Sequence, residues 1–175
     1  VDSDADILYG GFIGNFSGTA VECTPHSVER VTKKAWQGMQ VCHSTLFVRR
    51  HLFDAYPFSI SRKVSLDVEF MARCVAGGAS FERIDMPLFR VGFQGNSADH
   101  WLRGRIENWG ICRTYFSGIH TDFYHAQGLV REVAFRSCKW LLLRLRVYPF
   151  FLRLYHKHAR KYVPLLPKNV RLFHE

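Results

Sequence analysis

The chain lacks any apolar run near the ~20 residues a bilayer-crossing helix needs, so no membrane span is expected. It also lacks C-x-x-C pairs. Its five cysteines (Cys23, Cys42, Cys74, Cys112 and Cys138) are odd in number and widely spaced, which points to reduced thiols in a cytosolic compartment rather than a disulfide framework. A basic n-region and an apolar h-region are missing from the acidic opening Val1-Asp2-Ser3-Asp4-Ala5-Asp6, so no secretory leader is expected. No internal repeat or low-complexity tract occurs. Acid is scarce in one place only: residues 131–175 hold 11 Lys/Arg against Glu132 and Glu175, whereas residues 1–130 hold 13 of each sign. The whole +9 excess therefore sits in the C-terminal quarter, which describes a tail with its own partner rather than a basic globule.

What is present suits a globular chain. The 175 residues can bury a substantial core, and 47% hydrophobic with 22% charged residues argues against disorder. Residues 7–13 are short, β-prone and Gly-interrupted, and read as a strand. Residues 14–38 read as a loop or hairpin with a short strand at 20–23. A turn at 43–45 should lead into a short helix over 46–53, and 57–63 into a loop. Ser65 is placed to cap a helix that Gly77-Gly78 ends. Strands at 81–84 and 88–91 are expected to be broken by Pro87. A loop over 92–97 precedes a helix at 98–116, and a second helix at 129–146 ends or kinks at Pro149. The expected fold class is α/β with a mixed sheet, divided into a portion over 1–128 and a basic amphipathic helical tail over 129–175.

Asp67 occupies the second position of the helix that Ser65 opens. A carboxylate there commonly complements the helix dipole, worth ~0.3–1 kcal/mol. Partly enclosed, it is also a candidate general base. Glu69 lies about 200° away around the helix, so the two acids do not form a glycosidase-type pair. His43, Ser44 and Thr45 read as a polar loop wall rather than a nucleophilic site. Cys23, His26, Cys42 and His43 have poor spacing for zinc. Asp2-Ser3-Asp4 and Asp4-Ala5-Asp6 are D-x-D triplets that can hold a divalent metal, but only Val1 precedes them, and a solvated acidic turn accounts for them.

The tail has three readings. Trp140, Leu141 and Leu142 among arginines, then Tyr148, Phe150, Phe151 and Tyr155 among bases, suit an anionic membrane surface over residues 129–160. Interleaved bases and aromatics also suit single-stranded nucleic acid, a weaker fit given the large aliphatic content. The third reading packs the apolar stripe on the domain.

Taken in order, residues 4–110 resemble the C-terminal half of a family-2 glycosyltransferase with the A-type fold. Asp6-Ile7-Leu8-Tyr9-Gly10 resembles the strand after the nucleotide-binding half. Residues 42–50, Cys-His-Ser-Thr-Leu-Phe-Val-Arg-Arg, are similar to the acceptor-side "CHQ-x-x-FVRR" segment. Leu66-Asp67-Val68-Glu69-Phe70 looks like the "aDydf" helix start, whose aspartate the family uses as catalytic base. Gly77-Gly78-Ala79-Ser80-Phe81, Ile84-Asp85 and Gly95-Asn96-Ser97 resemble the following turn, strand and "GG-x-S" loop. The resemblance implies a nucleotide-diphosphate sugar donor, a divalent cation (Mn²⁺ or Mg²⁺), and a polysaccharide or lipid-linked acceptor at the inner membrane face. Asp67 would be the base, with His43, Thr45 and Ser97 bordering the substrate. It also puts the family's opening β-α-β units and true metal motif before Val1, so the chain is expected to be a fragment of the complete enzyme. The alternatives are a non-catalytic peripheral membrane or scaffold module and, more remotely, a nucleic-acid-binding protein.

Overall fold

A computed structural model describes residues 3–16, 19–91, 99–145 and 170–173. The architecture is mixed α/β. Strand β1 (Ile7–Phe16) is central and runs further than the sequence pattern suggests. On one edge it pairs in parallel with β4 (Phe81–Val91). On the other edge β3 (Leu46–Val48) takes positions 7–9, and β2 (Thr19–Cys23) takes positions 12–16, both antiparallel. Beyond β2 lies β5 (Val170–Phe173), also antiparallel. Gly10 and Gly11 sit where β1 changes partner. A methyl group on Gly11 would stand 2.7 Å from the Cys23 carbonyl oxygen, so that backbone approach requires glycine.

β5 is a strand inside the tail expected to be helical over 129–175. Between β1 and the end of β4, three further elements depart from the sequence reading. Leu46–Val48 is a strand, and α2 (Arg50–Ala55) starts only after it, because Leu46, Phe47 and Val48 complete the ladder with Tyr9, Leu8 and Ile7. β4 runs unbroken through Pro87. The missing N–H is tolerated because the register with β1 shifts around Gly11, the residue opposite. Helix α1 (Val28–Lys33) interrupts the stretch read as loop; Ser27 caps it by accepting from the Arg30 N–H at 3.3 Å.

Helix α3 (Leu66–Ala76) lies on the sheet and carries most of the core. Phe70, Met71 and Cys74 pack with Ile7 and Leu52, while Val68 and Ala72 meet Ile111 of α4 (Trp101–Tyr115) on the far side. Each such large aliphatic or aromatic side chain contributes ~1.5–3 kcal/mol on burial. The helix ends as Gly77-Gly78 implies: Gly78 turns left-handed (φ 79°), its N–H bonds Val75 at 3.1 Å, and Ala79 N–H bonds Cys74 at 2.9 Å. No atom lies near a side chain added at Gly78, so Gly78→Ala isolates the backbone term. Chemical denaturation should show a loss of ~1 kcal/mol for alanine and less for asparagine.

Helix α5 (Ile119–Arg144) begins ten residues before the expected tail helix, and the boundary drawn at 128/129 falls inside it. Its first turns are fixed by the buried Thr121, whose hydroxyl donates to the Phe116 carbonyl at 2.8 Å, and by the Trp109 indole N–H donating to Asp122 at 2.7 Å. Among the described residues no helix is long and apolar enough to cross a membrane. The loop 92–97, and the tail between Leu145 and Val170 with its aromatics, lie outside the described residues.

Candidate functional site around Asp67

Asp67 occupies the second position of α3, as its sequence context implies. Its Oδ1 accepts from the Val68 N–H at 2.9 Å, and its Oδ2 lies 3.3 Å from His43 Nδ1. Two segments 24 residues apart thus meet, the 3-10 turn His43–Thr45 reaching the start of α3. The Asp67 side chain keeps 36% of its exposure and that of His43 63%, so both remain open to a ligand. Glu69 points the other way, into a buried network. It pairs with Arg73 at 3.2 Å and Arg62 at 3.4 Å, and Arg73 donates on to the Tyr115 hydroxyl at 3.0 Å. The two acids do not share a face.

The structure gives Thr45 a different task from bordering a cleft. It is 1% exposed, and its hydroxyl is shared between the carbonyls of Cys42 at 2.8 Å and Gly10 at 3.0 Å. It pins the turn carrying His43 to β1. Thr45→Val keeps the shape and removes that bond. Thermal unfolding should register a loss of ~1 kcal/mol, more if the Gly10 carbonyl finds no other donor. Ser97 lies outside the described residues.

Glu107 was not legible in the sequence and holds the entry to α3. From α4 its carboxylate accepts from three consecutive backbone N–H groups: Lys63 at 3.3 Å, Val64 at 3.0 Å and Ser65 at 3.1 Å. Arg103, one turn earlier, donates to it at 2.8 Å. Burial alone would raise the Glu107 pKa, but Arg103 and the three N–H groups outweigh it and hold the carboxyl at about 2. Ser65, at the N-cap position, makes no side-chain cap; its hydroxyl turns to the Gly104 carbonyl at 3.4 Å. The start of α3 is therefore fixed by α4 rather than by its own cap.

Beside Asp67 a depression of about 270 Å³ opens between α3, α4 and α5, lined by Trp101, Arg105, Asn108 and Glu132 among others. Arg105 lies 3.5 Å from Glu132, whereas the buried Asn108 Oδ1 has no hydrogen-bond partner. These residues were also missed. Only the i,i+4 spacings within α4 and α5 hint that they face one another, and nothing in the sequence ties either helix to Asp67.

Cys23, His26, Cys42 and His43 form no metal centre: among the described residues no three His, Cys, Asp or Glu side chains are grouped to hold an ion. In the acidic opening Asp4 is exposed, and Asp6 is engaged by the Ser80 N–H at 2.8 Å and by His51 at 3.2 Å. In comparison with known proteins, no family model, curated protein or solved structure matches this chain.

Proposed function

We propose that the chain is the acceptor-side portion of an inverting, family-2-type glycosyltransferase with an A-type fold. Asp67 takes the proton from an acceptor hydroxyl as that oxygen attacks the anomeric carbon of a nucleotide-diphosphate sugar. The new C–O bond forms on the face opposite the nucleoside diphosphate, which departs with the electron pair of the bond that breaks. The observation that carries the reading is the Asp67–His43 contact at 3.3 Å, which joins the two segments of closest family likeness. A base for this chemistry must be rigidly held, open to solvent and beside a hollow. Asp67 has one oxygen fixed by a backbone N–H, the second next to an imidazole, and a depression at its side. The mixed sheet with α3 across it is compatible with the family's acceptor half. The divalent cation would neutralise the departing diphosphate, and no step assigned to these residues runs through it.

The test measures turnover of a panel of nucleotide-diphosphate sugars with Mn²⁺ or Mg²⁺, using the product of the reading frame that contains this chain. Wild type is compared with Asp67→Asn. Loss of turnover with donor binding retained supports the reading. Turnover that survives removes Asp67 as base, and a wild type without turnover favours a non-catalytic module.

A further inference from the structure

Around Glu132, α5 meets the domain through polar groups. Glu132 accepts from Arg136 at 2.9 Å and approaches Arg105 of α4, and the Arg136 guanidinium covers the Trp101 ring at 4.3 Å. About 180° around the helix from Glu132 lie Val130 and Leu141. These two share the arc with Ala134, Cys138 and Leu145, and all five are exposed. Arg131 and Arg144 border this apolar arc on its two sides, Arg144 lying 5.4 Å from the Trp140 ring. Glu132 is the one acid between residues 129 and 145, and it is already engaged.

We propose that this arc docks on an anionic lipid bilayer, with α5 lying in the plane of the surface. Charge complementarity selects the occupant. An apolar strip edged with bases and free of unengaged acid matches lipid chains beneath a layer of negative headgroups. A second copy of the chain would set the same positive border against itself. Because no described helix is suited to crossing, the arc rests on the membrane instead of spanning it. The inference does not depend on the transferase reading.

Flotation of the full chain with phosphatidylcholine vesicles, with and without phosphatidylglycerol, tests it. Binding should require the anionic lipid and weaken steeply as salt rises. It should fall by about tenfold or more in Leu141→Asp/Leu145→Asp, both exposed positions, with helicity unchanged by circular dichroism. Arg144→Glu should weaken it in the same direction, and Asp67→Asn should leave it unchanged. Four results would overturn the proposal: no flotation at low salt, equal flotation on neutral vesicles, a wild-type dimer dissolved by the leucine substitutions, or tighter retention on single-stranded DNA than on vesicles. The lipid and salt comparisons use wild type, so they decide the matter even if the double variant misfolds.

Discussion

Asparagine at position 67 should lower sugar transfer at least ~100-fold while leaving the protein folded, the size of effect that loss of a positioned general base produces. Asparagine keeps the side-chain shape and an oxygen that can still accept from Val68 N–H, so the start of α3 is undisturbed. What it loses is the ability to take a proton. The defect should therefore fall on kcat, with KM for the donor little changed. His43→Ala should cost less, about tenfold or below, because the imidazole touches the carboxylate instead of replacing it. If both variants lost activity together with thermal stability, the contact would be structural.

The second large effect is on stability. Glu107→Ala strips an acceptor from three backbone N–H groups and from Arg103 at once, and leaves those donors at a part-buried junction. Orphaned groups of this kind cost ~1–3 kcal/mol each when water cannot replace the partner. Allowing for partial solvent access, the net loss should be about 3 kcal/mol, a fall of roughly 10 °C in Tm for a chain this size. The pH dependence follows from the carboxyl held at about 2 against an ordinary 4.5. The folded pKa is depressed, so the stabilisation is complete above 4.5 and is lost as pH falls toward 2. Wild type and Glu107→Gln should therefore differ most near neutrality and converge in acid. Convergence absent from denaturation curves taken between those limits would show that Glu107 does not hold the loop.

The helical setting of Asp67 is legible in sequence because its neighbours are local: an apolar helical stripe and the Gly77-Gly78 stop that forms with the expected left-handed turn, although the expected Ser65 cap does not form. Pro87 misled because a ladder tolerates proline where the register slips, and the slip belongs to β1, more than seventy residues away. Leu46–Val48 looked helical for a similar reason; only pairing with Ile7–Tyr9 makes it a strand. Thr45 carried the right signal in the wrong direction. Its polarity serves two buried carbonyls instead of a ligand. Glu107 had no signature at all, since backbone N–H groups are the same in every residue but proline.

Glu132 lines the depression beside Asp67 and stands diametrically across α5 from Leu141. Were lipid to occupy the leucine side, Asp67 would stand off from the headgroups by the ~10 Å girth of one helix. A substrate tethered in that leaflet would need a polar stem long enough to clear the rod before its hydroxyl arrived, so stem length, more than the identity of the terminal sugar, would set the shortest molecule this chain can serve.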